Sequence, residues 1–328
     1  MRMLRWAAVG VCAVIAACGR VAPPELAPCG DAGIATLGHF SSVVALDDAH
    51  VFVESGGGTS VEPAQIQVMP AGGGPASVLV EATNGTAIGL DADRVYFTND
   101  SQTTLAAIPK TGGAVVTLAT NGGPYVDTIV TDEDRVYVSS HNAGVVQSVP
   151  KSGGAFTELA TGASAHVIAL DDSNLYFSTS TETYGDPQVT IESVPKAGGP
   201  PTTIFASSGY LRGTAADAGA IYFVIYDPSA FVVAIQRIDE SGGAAQVLRS
   251  DAADSPDAFD GWQLAVDSGL VFLARKDAIW TIPVAGGDPQ PTAAVGKGTD
   301  IALGAVGGGE IYFLSSSEVS SELEAVCE

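Results

Sequence analysis

The chain has 328 residues, with 37 Asp and Glu against 14 Lys and Arg, for a formal charge of −23. An acidic balance without a basic patch excludes the footprint of a nucleic-acid binder and serves mainly to keep a protein soluble. Charged residues are only 16% of the total while glycines number 39, which suits an all-β fold with many tight turns and excludes a disordered polymer.

The first residues read as an address rather than as fold. Arg2 and Arg5 form a positive start, and Trp6 to Ala17 is an apolar run of signal-peptide length, too short for a comfortable membrane span. The run ends Ile15-Ala16-Ala17-Cys18-Gly19. This resembles a bacterial lipobox, which implies cleavage before Cys18, acylation of its thiol (palmitate among the chains) and membrane anchoring without a spanning helix. Residues 1–17 are then the signal peptide, and the mature charge becomes about −25 once Arg2 and Arg5 leave. Residues 18–30 are the lipidated Cys and a tether, extended by three prolines between Gly19 and Pro28. Gly19 is not the Asp that retains many such proteins at an inner membrane. The expected location is the cell envelope, at the outer membrane, on its periplasmic or surface side. Residues 31–328 form the folded domain.

A repeat runs through that domain. Its first mark joins two apolar runs through an Asp-containing turn: Ala45 to Val53, Gly89 to Phe97, Val130 to Val138, Ala169 to Phe177, Ala215 to Phe223, Ala265 to Leu273 and Gly304 to Phe313. These seven copies lie about 40 to 50 residues apart, the span of a four-stranded propeller blade. A second mark is a Gly-Gly turn, usually after Pro: Met69 to Gly74, Ile108 to Gly113, Val149 to Gly154, Val194 to Gly199, Ile238 to Gly243 and Ile282 to Gly287. Gly-Gly permits the positive φ of a tight hairpin, and Pro presets its approach.

The seventh Gly-Gly turn is missing. The last unit stops at Val326-Cys327-Glu328, while Ile34 to Leu37 fits the fourth-strand position of the repeat. The expected fold is therefore all-β, a seven-bladed β-propeller closed by pairing of the N- and C-terminal strands, which removes free sheet edges at the join. In this register Cys327 falls on the turn Pro and Cys29 on the following position, so a disulfide between them would lock the closure. Chain entropy for so long a loop suggests about 4–5 kcal/mol as an upper value.

The second strands Tyr96-Phe97-Thr98-Asn99, Tyr137-Val138-Ser139-Ser140 and Tyr176-Phe177-Ser178-Thr179 resemble those of extracellular propeller repeats with a Tyr-Trp-Thr-Asp signature and, more loosely, TolB-type propellers. The Trp and the final Asp are absent from every copy here, and those propellers usually have six blades. The repeated Val-Pro-Lys-x-Gly-Gly turns are also similar to those of a group of bacterial lipoproteins. These resemblances imply a propeller with a binding role.

On a propeller, the loops joining fourth to first strands and second to third strands share one face around the channel mouth. Counting back five residues from each first-strand end selects Ser42, Thr86, Asp127, His166, Arg212, Trp262 and Thr299, with Tyr125, Tyr210, Asp260 and Asp300 beside them. His141, in a second-to-third loop, projects to the same face as Asp127. The candidate binding residues are Trp262, Arg212, Asp127, His166, His141, Tyr125 and Tyr210, a mixed set suited to a polar small molecule, a glycan or a peptide end. Exposed Trp and Arg are the strongest anchors among them.

The Asp residues after each first strand recur once per blade in hairpins on the other face. There they bond their own backbone, and no stretch matches a calcium loop. No nucleophile motif and no phosphate-cradling loop occurs, so neither catalytic residues nor a cofactor nor a metal site is assigned. The sequence thus points to a lipid-anchored envelope protein whose propeller binds a protein, peptide or glycan partner without catalysis. The alternative is a periplasmic or surface enzyme, a metal-assisted hydrolase or lyase, acting at the mouth through Asp127, His141 and His166.

Overall fold

The computed structural model describes residues 34–39, 42–47, 49–55, 64–71, 74–83, 87–99, 103–120, 125–181, 187–252, 263–275, 278–294, 300–307, 310–316 and 321–327. The proposed signal peptide, Cys18, the tether and Cys29 lie outside them. The described residues form antiparallel four-stranded sheets, seven in all, without a helix.

Six of these sheets are continuous in sequence: blades 1 to 6 occupy residues 42–83, 88–120, 128–161, 166–208, 210–252 and 263–294. A count restricted to continuous sheets therefore stops at six. The remaining sheet is composite. Strands Asp300–Gly307, Glu310–Ser316 and Ser321–Cys327 are joined on their open edge by Ile34–His39, with Ile34 opposite Val326 and His39 opposite Glu322. The first strand of every blade touches those of both neighbours, and that of the composite sheet touches blades 1 and 6. Cys327 stands opposite Glu310, as Pro150 stands opposite Arg135 in blade 3. It therefore occupies the place of the turn proline. No disulfide occurs among the described residues; what joins the two ends there is main-chain pairing.

The second strands show why the repeat must stack. In Arg135–Ser140 every residue after Arg135 is buried, and in Arg94–Asn99 the central four are. Both faces of these strands meet a neighbouring blade, so the sequence reads as a continuous apolar run rather than an alternation. The core lies at the seams. Tyr137, Val146 and Leu159 of blade 3 pack with Val167, Leu175 and Phe177 of blade 4, and Tyr222 and Val224 of blade 5 pack with Val266 and Val271 of blade 6. Each fully buried large side chain of this kind contributes roughly 1.5–3 kcal/mol. Fourth strands form the outer rim and are half exposed, as in Thr157–Thr161.

The Gly-Gly turns behave as their composition predicts. Gly153 and Gly154 have φ of 86° and 145°, and the Gly153 amide donates to the Pro150 carbonyl at 2.8 Å. The second glycine also bridges blades, because the Gly154 amide donates to the Leu118 carbonyl of blade 2 at 2.9 Å.

Candidate functional site

At the mouth, Asp127 precedes the first strand of blade 3 and His141 follows its second strand. The Asp127 amide donates to the Ser139 carbonyl at 2.9 Å, which fixes the start of the strand. Asp127 Oδ2 then accepts from the His141 amide at 2.6 Å and lies 2.7 Å from His141 Nδ1. The loop carrying His141 is held in a tight turn. The Gly144 amide donates to the Ser140 carbonyl at 2.8 Å, and Gly144 takes a φ of 63°. A Cβ at Gly144 would lie 2.5 Å from the Gly162 carbonyl oxygen, so only glycine fits.

His166 opens the first strand of blade 4 and reaches across the seam. Thr128 Oγ1 lies 3.0 Å from its Nδ1. The following amide, of Val167, donates to Ser139 Oγ at 3.1 Å, tying the His166 backbone to blade 3. His166 is an exposed residue. Crowding by the surrounding strands nevertheless strips water from it and pushes its pKa below the ordinary 6.5. Asp127 acts in the opposite direction, and His141 adds to the depression. This direction favours the neutral imidazole of His166, beside an Asp–His pair.

Arg212 and Tyr210 make a separate group on blade 5. The guanidinium carbon of Arg212 sits 5.1 Å from the Tyr210 ring centre, and that ring stacks on Tyr226 with centres 6.2 Å apart. Such a stack holds an exposed Arg in a defined direction. Tyr125 is 45% exposed, two residues before Asp127. Trp262, Thr86, Asp260 and Thr299 lie outside the described residues, as do the side chains of Ser42 and Asp300.

The seven positions obtained by counting do not share one level. Thr128 pairs with Ser139 and His166 with Ser178, equivalent second-strand positions. His166 is therefore level with Thr128, not with Asp127. The same level holds Ser42, Gly213, Gln263 and Ala302. The physical reason is a β-bulge in the first strands of blades 1, 4 and 5 and of the composite sheet, such as that between Val167 and Ala169, which inserts one residue. Arg212 itself lies within one of these bulges, between Leu211 and Gly213. The rest of this level is small or polar, and His166 is its only imidazole.

On the opposite face the recurrent aspartates act as turn residues. Asp132 Oδ1 accepts from the amides of Asp134 and Arg135 at 3.0 and 2.8 Å, and Asp47, Asp91 and Asp171 make the same pair of bonds. Their second oxygens do something the sequence reading missed. Tyr96, Tyr137 and Tyr176 donate to Asp91, Asp132 and Asp171 of their own blades at 2.6–2.8 Å. The lysine of the next blade's Pro-Lys turn also reaches back across the seam. Lys110 meets Asp47, Lys151 meets Asp91 and Lys196 meets Asp132 at 2.5–2.7 Å. Lys151 and Lys196 lie 5.3 and 5.9 Å from the Tyr96 and Tyr137 ring centres. Burial alone would raise these carboxyls. Lysine and backbone donors, joined by a tyrosine at Asp91 and Asp132, outweigh it and hold Asp47, Asp91 and Asp132 below the ordinary 3.8. The available signal was the lysine recurring after Pro at 110, 151 and 196, one blade after each partner Asp. Among the described residues, no group of three or more His, Cys, Asp or Glu side chains is arranged to hold a metal ion.

No protein-family model and no curated protein matches the chain. Solved structures do. A catalytically inactive variant of virginiamycin B lyase from Staphylococcus aureus, crystallised with quinupristin, is similar over 89% of this chain and 96% of its own, with a TM-score of 0.64 and 15% identity. The β-propeller domain of the trilobed protease from Pyrococcus furiosus, described as having an open velcro topology, covers 88% of this chain and 95% of its own, with a TM-score of 0.62 and 11% identity. A chain of a nidogen/laminin complex covers 74% of this chain and 92% of its own, with a TM-score of 0.52 and 14% identity. At these identities the likeness establishes the β-propeller fold alone, a fold that serves enzymes and binding proteins alike.

Proposed function

We propose that this chain is a lipid-anchored envelope protein whose propeller binds a polar partner, a peptide end, a glycan or a protein loop, at the mouth formed by blades 3 and 4. The observation that carries this reading is the meeting of Asp127, His141, His166 and Thr128 across one seam. An acceptor, a partly exposed imidazole and a neutral imidazole there offer directed hydrogen bonds to a polar ligand. Tyr125 adds an exposed ring, Arg212 over Tyr210 is the proposed anchor on neighbouring blade 5, and Trp262, just before blade 6 in sequence, is a further proposed anchor. Membrane attachment rests on the lipobox-like Ile15 to Cys18. The place of Cys327 at the turn-proline position supports a Cys29–Cys327 bond in an oxidising compartment.

Peptide and glycan arrays probed with the soluble domain, wild type against His141→Ala, test the mouth. Binding that disappears in the variant supports the reading, and binding that survives undiminished overturns it. Cys18→Ala is expected to release the protein from the membrane fraction. Mass spectrometry of the non-reduced chain is expected to link Cys29 to Cys327.

A second reading, that of a hydrolase or lyase, draws on one observation. Asp127 binds Nδ1 of His141 and so leaves Nε2 for proton transfer, beside a neutral His166. Turnover abolished by Asp127→Asn, or a stoichiometric transition metal lost in His166→Ala, would favour it.

A further inference from the structure

The inter-blade belt stops at the seam between blades 4 and 5. By the repeat, the residue after Ile238-Asp239 stands where Lys110, Lys151 and Lys196 stand at the preceding three seams, and it is Glu240. Its backbone keeps the common geometry: the Glu240 amide donates to the Gly219 carbonyl at 3.0 Å, as the Lys151 amide does to Asp134 at 2.9 Å. The side chain therefore reaches back toward Asp171, the aspartate that a lysine here would have paired. Glu240 Oε2 is buried with no hydrogen-bond partner.

We propose that this seam is a proton-dependent joint, in which Glu240 replaces the repeat's lysine and a bound proton does the work of its charge. With the proton, Glu240 faces Asp171 as a neutral acid. Without it, two carboxylates oppose each other across a packed seam.

The groups facing Glu240 support this. On blade 4, Asp171 is committed to the Tyr176 hydroxyl and to the amides of Ser173 and Asn174. Lys196 cannot neutralise the pair fully, because its ammonium sits on Asp132 at 2.7 Å and on the Asp171 carbonyl at 2.9 Å. On blade 5, Asp239 is turned to Arg237 at 2.7 Å, and Asp217 at the end of the first strand is a further acid. Burial, and then the charge of Asp171, raise the Glu240 carboxyl to about 7. A carboxyl raised in the folded state stabilises fully below its ordinary 4.5, and that contribution is lost as pH rises through about 7. His166, depressed in the folded state, works the other way: its contribution is present above 6.5 and lost below it. A wild-type pH profile mixes the two, so Glu240 must be isolated by substitution.

The test is thermal unfolding of the purified protein between pH 5 and 8. Glu240→Gln keeps the shape and cannot ionise. Relative to it, the wild type is expected to lose about 2–4 °C of Tm between pH 5 and pH 8. Glu240→Lys restores the repeat and is expected to exceed the wild type at pH 8. Hydrogen exchange gives a second readout. Amides of strands Gln188–Pro195 and Tyr210–Asp217 should exchange faster at pH 8 in the wild type than in Glu240→Gln, after correction for intrinsic rates. Parallel pH profiles for wild type and Glu240→Gln, in both Tm and exchange, overturn the proposal even if the lysine variant does not fold.

Discussion

The two faces of the propeller are built from similar residue types and behave differently. On the hairpin face, Asp, Tyr and Lys recur at fixed places, and Asp91 and Asp132 are each consumed by their own turn, their own tyrosine and the next blade's lysine. On the mouth face, Asp127 occurs once, and the imidazole it holds is 52% exposed. Polar groups that repeat are mutually satisfied and hold blades together. Polar groups in single copy keep bonding capacity free for a ligand.

Substitutions on the two faces should therefore have opposite profiles. The largest effect is expected for Asp91→Ala, which strands the half-buried Lys151, the Tyr96 hydroxyl and two turn amides. A loss of about 3 kcal/mol in denaturant unfolding is expected. A loss under about 1 kcal/mol would mean that the belt is ornamental.

Gly144→Ala comes next, at about 2 kcal/mol, because the new Cβ meets the Gly162 carbonyl at 2.5 Å in a left-handed residue. It also displaces the loop bearing His141, so it should damage binding and stability together, unlike any belt variant.

Tyr137→Phe removes one hydroxyl from Asp132 and should cost about 1 kcal/mol. Its effect should fade in acid. Asp132 is held below 3.8 in the folded state, so its stabilisation is present above that value and lost as pH falls through the lowered one. Unfolding of wild type and variant at pH 7 and pH 2.5 checks this, with the gap expected to shrink at the lower pH.

The smallest stability effect, within about 0.5 kcal/mol, is expected for His141→Ala. The same substitution should abolish mouth binding. A large destabilisation would place His141 with the structural residues and erase the contrast.

Much of the fold was legible because blades are copies. The Val-Tyr-Val runs, the Asp turns and the Gly-Gly turns announce strands and hairpins at a fixed spacing, and the split last unit announces a sheet made from both ends. The candidate site was less legible. Counting residues back from strand ends missed the bulge between Val167 and Ala169, a main-chain irregularity that leaves no mark in side-chain chemistry. The count therefore set His166 level with Asp127, whereas the register sets it level with Thr128, whose hydroxyl it meets. Lys196 likewise reads as an ordinary turn residue until blades 3 and 4 are stacked and it lands on Asp132.

By itself, the sequence determined what depends on local chemistry and repetition: strand order, turn type and the acidic charge. Only the tertiary structure decided which single-copy residues meet. Contacts across a seam join positions some forty residues apart, such as Thr128 with His166, and one inserted residue in a strand changes which of them face each other. Glu240 shows both halves. Its departure from lysine is written in the repeat, but the consequence exists only because stacking brings Asp171 opposite it.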